Sequence, residues 1–220
     1  TLEKTKAADS TCVIFISDHG EMAFEHGQHA KMTLYDPAVR VPMIVTGPNV
    51  RPGVRDRLVS LVDIYPTLMD LAELPHPEGL DGRSLLPQIS GEDVQTPNDV
   101  LCQYHGDSMN TGAFLLRRDD WKYIAYMGYP PQLFNLRDDP GELVDLAAIR
   151  PEIARAMDKR LREIVDCEAA DARAKANDKT AFRAWRATQS DADYHKAMGG
   201  IYAGWDAEAA RVIDQWLAVP

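Results

Sequence analysis

Three side chains near the start of the sequence have types and a spacing that suit metal binding and charge neutralisation. Asp18 and His19 are adjacent in the segment Ser17–Glu21, and a carboxylate oxygen and an imidazole nitrogen are both donors to divalent metal ions. Lys31 follows thirteen residues after Asp18 and carries a compact ammonium group that can neutralise developing negative charge. The motif Asp-His-Gly is short enough to occur by chance, so a solvated turn and a surface lysine are the ordinary alternatives.

The element that must position Asp18 and His19 is the apolar run Cys12–Ile16, which stops abruptly at Ser17. Such a run predicts a buried parallel strand that delivers polar groups to the carboxyl edge of an α/β sheet, where ligands bind. Adjacent side chains on a regular strand point to opposite faces. Asp18 and His19 can therefore converge only if the strand has ended before them.

The composition is that of an ordinary globular chain: 220 residues, of which 45% are hydrophobic and 26% charged. The formal net charge of −10 argues against a broad nucleic-acid surface, although a local cationic pocket for an anionic substrate remains compatible with it. The sequence contains no apolar stretch of the length needed to span a membrane. Three scattered cysteines do not form a disulfide framework.

The rest of the chain predicts an α/β part that ends in the polar, turn-forming residues 91–99, then a small antiparallel sheet, then helices. Arg117–Asp120 is predicted as a hairpin turn, and residues 168–205 stay open between helix and irregular structure. Further strands are predicted at Val41–Val45, Val100–Tyr104, Ala113–Leu116, Trp121–Tyr126 and Leu133–Leu136. Helices are predicted at Asp63–Leu71, from Pro151 to Val165, and after a capping Asp206.

Several ordered blocks carry a family resemblance. The blocks SDHGE, AKMTLYDPAVRVPMIVTGP, LVSLVDIYPTLMDLAELP and LDGRSLLP, followed by QYHGDSMN, resemble the sulfatases of the alkaline phosphatase superfamily, above all members that act on 2-O-sulfated uronic acids. The resemblance implies an α/β fold: the C-terminal part of an alkaline-phosphatase-like α/β/α sandwich over residues 1–95. A C-terminal subdomain with a small antiparallel sheet and packing helices is expected over residues 96–220.

The same resemblance implies roles for individual side chains. Asp18 and His19 are expected as metal ligands, with Ca²⁺ favoured and Mg²⁺ or Mn²⁺ possible because imidazole is less typical of calcium. Lys31 is expected to be catalytic. His105 and Asn110 are expected to bind substrate, while a histidine satisfied within the small sheet is an equal alternative for His105.

One part of the family pattern is missing from the sequence. Sulfatases convert the Cys or Ser of a C/S-x-P-S-R motif to formylglycine, and neither Cys12, Cys102, Cys167 nor any serine stands before x-P-x-R. The formylglycine is therefore expected in a missing N-terminal part of the same enzyme, and this chain alone is expected to be inactive. The resemblance implies a periplasmic, extracellular or lysosomal parent.

The expected substrate is a sulfated small molecule or a sulfated glycan, with no nucleic-acid partner. A phosphoester or phosphonate ester hydrolase of the same superfamily is one alternative. A non-catalytic binding domain that retains the fold is the other.

Overall fold

The computed structural model describes residues 1–106, 109–202 and 204–218. The chain divides into two compact units, Thr1–Cys167 and Glu168–Pro220. The helices are α1 Leu2–Thr5, α2 Asp36–Val39, α3 Ile64–Leu71, α4 Leu86–Ser90, α5 Pro151–Ile164, α6 Cys167–Ala187, α7 Asp191–Ile201 and α8 Ala207–Ala218. The strands are β1 Val13–Ile16, β2 Met22–Ala23, β3 His29–Ala30, β4 Met43–Thr46, β5 Asp99–Tyr104, β6 Ala113–Arg118, β7 Trp121–Tyr126 and β8 Tyr129–Asn135.

Strand β1 ends at Ile16, as the convergence of Asp18 and His19 requires, but its surroundings differ from the prediction. It pairs antiparallel with β4, with Phe15 opposite Ile44, and each of these side chains is 60% exposed. The prediction of a buried parallel strand is therefore wrong for the part of the chain that the structure describes. An apolar run indicates that a strand tends to be buried, but it does not indicate whether the neighbouring strand is parallel or antiparallel.

The small antiparallel sheet predicted after residue 99 is confirmed, with strand order β5-β6-β7-β8. The predicted hairpin turn at Arg117–Asp120 is shorter than expected, because Arg117 and Arg118 of β6 still pair with β7. The turn consists of Asp119, which has a positive φ of 50°, and Asp120. One face of the sheet packs on the segment that follows the Asp-His-Gly turn. This core comprises Met22, Leu34, Tyr35, Ala38, Ala113, Leu115, Ile124 and Phe134.

Helix α5 packs on β6 and β7. The buried side of the helix presents Ala154, Met157 and Leu161, and the hydroxyl of Tyr123 donates a hydrogen bond of 3.1 Å to Asp158 Oδ1. The sheet therefore joins the residues around the Asp-His-Gly turn to α5 within the first unit. The domain division predicted after residue 95 stays a prediction.

Residues 168–205, which the sequence left open between helix and irregular structure, lie mainly in helices α6 and α7. Side chains of the second unit form an aromatic cluster of Phe182, Trp185, Tyr194, Trp205 and Trp216. Asp206 caps α8 as predicted, accepting the backbone N–H groups of Glu208 and Ala209 at 2.9 and 2.8 Å. Among the described helices, none is long and apolar enough to cross a membrane.

Candidate active site

The turn after β1 directs the Asp18 carboxylate into solvent. The Ser17 hydroxyl donates to the His19 carbonyl at 2.8 Å, and the His19 backbone N–H donates to Asp18 Oδ1 at 3.0 Å. The Asp18 side chain is 82% exposed. The hydrogen bond from the His19 backbone is the main cause that lowers the pKa of Asp18, so the carboxylate is ionised at neutral pH.

The contacts of His19 define which ring nitrogen is available as a ligand. Its Nδ1 lies 2.7 Å from the carbonyl oxygen of Gly20. Because a carbonyl oxygen can only accept a hydrogen bond, Nδ1 carries a proton, and in the neutral ring Nε2 is then the nitrogen with the lone pair. Nε2 lies 3.3 Å from Asp18 Oδ2, so the two predicted metal donors stand side by side.

Lys31 reaches this pair from the loop after β3, with its Nζ 2.7 Å from His19 Nε2. The segment that precedes Lys31, from the end of β2 through β3, has an unusual backbone: Phe24, His26 and Ala30 have positive φ values of 76°, 52° and 65°. The His26 ring stacks on the core residue Tyr35 at a centroid distance of 4.0 Å, and this contact holds the segment against the core. The three residues predicted to act together are therefore brought together.

The donor set fits part of a metal site. A carboxylate oxygen and an imidazole lone pair 3.3 Å apart can bind the same divalent ion. No group of three or more His, Cys, Asp and Glu side chains suited to a metal ion occurs among the described residues. The Lys31 ammonium and a metal ion cannot both use the Nε2 lone pair, so metal binding by His19 requires Lys31 Nζ to turn away.

The two predicted substrate-binding residues lie in the segment that connects β5 to β6 of the small sheet. His105 Nε2 is 3.3 Å from Gln103 Oε1, the ring meets Phe114 edge-on, and the buried Nδ1 has no hydrogen-bond partner among the described residues. Asn110 Nδ2 donates to the Tyr129 hydroxyl at 3.0 Å. No described contact joins these two residues to Asp18, His19 or Lys31. Asp107 and Ser108, within the same predicted stretch, lie outside the described residues.

Sequence reasoning missed a buried ion cluster next to this site. Lys122 Nζ lies 2.8 Å from Asp36 Oδ1 and 2.6 Å from Glu142 Oε1, and the side chains of Lys122 and Glu142 are each 1% exposed. A signal was available for the lysine: Lys122 shares a strand face with the core residue Ile124 in the alternation of β7, and a lysine there requires an acidic partner. No comparable signal marked Glu142.

Comparison with known proteins identifies the fold and its family. The sequence profile described as N-sulphoglucosamine sulphohydrolase, C-terminal, matches residues 24–167. The chain belongs to this sulfatase family. Its curated relatives include arylsulfatase K of Danio rerio, 38% identical over 98% of this chain and 44% of the relative, and arylsulfatase K of Homo sapiens, 36% identical over 98% and 43%. This sulfatase chain thus spans less than half the length of those relatives.

Solved structures with the same fold include a 2-O GAG sulfatase, with a TM-score of 0.66 and 29% identity over 77% of this chain and 40% of that one. The phosphonate monoester hydrolase of Agrobacterium radiobacter has a TM-score of 0.65 and 27% identity over 74% and 36%. The predicted fold class, the C-terminal part of an alkaline-phosphatase-like sulfatase fold, is confirmed. The predicted resemblance to the sulfatases is confirmed as well.

Proposed function

We propose that this chain supplies part of the active site of a metal-dependent sulfatase that hydrolyses sulfate esters. The observation that carries the proposal is the convergence of Asp18 Oδ2, His19 Nε2 and Lys31 Nζ in a chain of the sulfatase family, with distances of 3.3 and 2.7 Å from Nε2. Sulfatases are generally metal-dependent. The identity of the metal, with Ca²⁺ favoured and Mg²⁺ or Mn²⁺ as alternatives, is part of the proposal.

Each side chain has a definite task in this proposal. Asp18 and His19 would hold the ion, which when bound would supply charge stabilisation to the sulfate. Lys31 turns from Nε2 towards the ester and neutralises negative charge that develops on the sulfate or on the departing alcohol oxygen. The formylglycine nucleophile is proposed to lie in another part of the same enzyme.

Metal binding provides the test of the donor assignment. In the full-length protein that contains this chain, Asp18→Ala should weaken metal binding by more than about a hundredfold, since outer partners of a ligand are already worth ten- to a hundredfold. The exposed Asp56 is the matched control, and Asp56→Ala should leave the calorimetric titration unchanged. An Asp18→Ala protein that binds the metal like its parent would refute the assignment.

The proposed substrate class is 2-O-sulfated uronic acid, which the family resemblance implies and the likeness to a 2-O GAG sulfatase supports. We propose that His105 and Asn110 line the sugar side of the cleft. His105→Ala should then reduce kcat/KM for a 2-O-sulfated uronate far more than for a small aryl sulfate, because a polar substrate group loses its partner. Equal losses on both substrates would assign His105 to the fold of the small sheet.

A second candidate is phosphonate or phosphate ester hydrolysis, which the likeness to the phosphonate monoester hydrolase favours. Both reactions use a metal site and a cation beside the ester, so the two candidates differ mainly in the pocket and nucleophile. Parallel assays of one aryl sulfate and one aryl phosphonate monoester would separate them. Absence of turnover on both, in a protein that binds the metal, would favour the non-catalytic alternative.

A further inference from the structure

The Asp-His-Gly turn rests directly on the backbone of the short helix α2. The N–H of Gly20 donates to the Ala38 carbonyl at 2.7 Å, and the N–H of Glu21 donates to the Pro37 carbonyl at 2.9 Å. A Cβ atom on Gly20 would lie 2.0 Å from the Pro37 oxygen, which no side chain could tolerate. The position of α2 therefore sets the position of the turn that carries Asp18 and His19.

Helix α2 cannot hold this position through its own hydrogen bonds. It has four residues, Asp36–Val39, and helices of this length are not stable without tertiary contacts. Its first residue is fixed twice by side chains from the small sheet and its flanking loop. The Asp36 N–H donates to Glu142 Oε2 at 2.6 Å, and Asp36 Oδ1 accepts from Lys122 Nζ at 2.8 Å.

The ion cluster that fixes α2 is anchored in rigid structure. Lys122 lies on β7, which is paired on both sides with β6 and β8. Glu142 is the last residue of a turn, since its N–H donates to the Asp139 carbonyl at 3.1 Å. Its backbone adopts a positive φ of 56°. A non-glycine residue persists in that conformation only where the surroundings impose it.

We propose that Lys122 and Glu142 are positioning residues for the metal-binding turn, acting through Asp36 and α2 on the backbone of Gly20 and Glu21. This inference rests on the proposed function, since it assigns the cluster to the site of Asp18 and His19. Removing Glu142 deletes the acceptor of the Asp36 N–H and leaves Asp36 held by Lys122 alone, whereas removing Lys122 leaves two carboxylates without their cation. Either change displaces Asp36. The displacement reaches the turn because α2 has no independent stability.

The test uses the full-length protein with graded variants. Glu142→Gln keeps a carbonyl oxygen for the Asp36 N–H, whereas Glu142→Leu removes both the charge and the acceptor. Metal affinity should fall on the order of tenfold for Glu142→Leu and less for Glu142→Gln, within the range of outer partners of metal ligands. Amide hydrogen exchange at Gly20 and Glu21 should accelerate in the same order.

A second buried ion pair of the same unit serves as the control. Arg160 Nε lies 2.8 Å from Asp99 Oδ2, the Asp99 side chain is 4% exposed, and no described contact joins this pair to α2 or the turn. Asp99→Asn should lower Tm without changing metal affinity or exchange at Gly20 and Glu21. The positioning role would be refuted if Glu142→Gln lowered Tm but left metal affinity and amide exchange at Gly20 and Glu21 the same as in Asp99→Asn.

The exchange measurement separates failure of this inference from failure of the proposed function. Faster exchange at Gly20 and Glu21 in a protein that binds no metal would support the link through α2 and reject the metal proposal. Unchanged exchange in a protein whose parent binds metal would reject the link and keep the metal proposal. Glu142→Gln is the decisive variant if Glu142→Leu does not fold.

Discussion

Lys31 and Lys122 carry the same ammonium group in opposite surroundings. Lys31 lies on an exposed loop and its Nζ contacts the imidazole of His19, whereas Lys122 is 1% exposed between the carboxylates of Asp36 and Glu142. A cation that can leave its partner is available to neutralise charge on a substrate. A cation closed between two carboxylates can only hold the fold, and this difference separates the proposed active site from its support.

The largest expected effect is on the free energy of unfolding. Replacing each of the two lysines with methionine measures it. Lys122→Met should lower the free energy of unfolding by about 3–5 kcal/mol, because the buried Glu142 carboxylate and the partly buried Asp36 carboxylate lose their cation. Lys31→Met should change it by less than about 0.5 kcal/mol, as is usual at the surface. Urea unfolding of the full-length protein gives both values, and equal losses would abolish the contrast between the two lysines.

The contrast should reverse when turnover is measured. Lys31→Ala should lower kcat on a sulfate ester by about a hundred- to a thousandfold with little change in KM, as for the loss of one group that stabilises developing charge. Lys31→Arg keeps a cation and should retain part of the rate. Lys4, an exposed lysine of α1, provides the control. A Lys31→Ala enzyme with parental kcat would show that the contact with His19 has no catalytic meaning.

The smallest expected effect is on the reactivity of the Cys102 thiol, whose pKa is set by burial and by the nearby charge of Lys122. Burial raises the pKa of the Cys102 thiol above its ordinary value of 9.0, and the opposing attraction of Lys122 is weaker. A raised pKa means less thiolate at pH 8, so Cys102, although partly exposed, should react with iodoacetamide more slowly than free cysteine in the same solution. Peptide mass spectrometry from pH 7 to pH 10 measures both rates. Faster labelling of Cys102 at pH 8 would contradict the dominance of burial.

Local patterns explain which parts of the fold were predictable. Strand β7 was predicted at its observed bounds, Trp121–Tyr126, because aromatic and branched residues between turn formers are a signal contained in a few neighbouring positions. The convergence of Asp18 and His19 was predictable because a strand end produces it, whereas Lys31 was grouped with them through the family resemblance. Family resemblance supplied the roles that spacing alone could not.

The parts that escaped prediction depend on residues far apart in the chain. Lys122 bonds a side chain 86 positions away, and Glu142 bonds a backbone group 106 positions away. The antiparallel direction of β1 likewise depends on its partner β4 and not on the apolar run itself. Contacts between residues so far apart produce no periodic pattern in the sequence. The sequence therefore predicted a metal-binding turn but not the buried ion cluster that holds α2 beneath it.

The exposed apolar pair of β1 and β4 has a consequence for handling the protein. Val13, Phe15 and Ile44 are 41%, 60% and 60% exposed on a ribbon whose two strands pair only with each other among the described residues. Such ribbons template further strands from other molecules, and aggregation follows. Recombinant production of these 220 residues by themselves should therefore yield inclusion bodies more readily than production of a longer polypeptide that shields the ribbon.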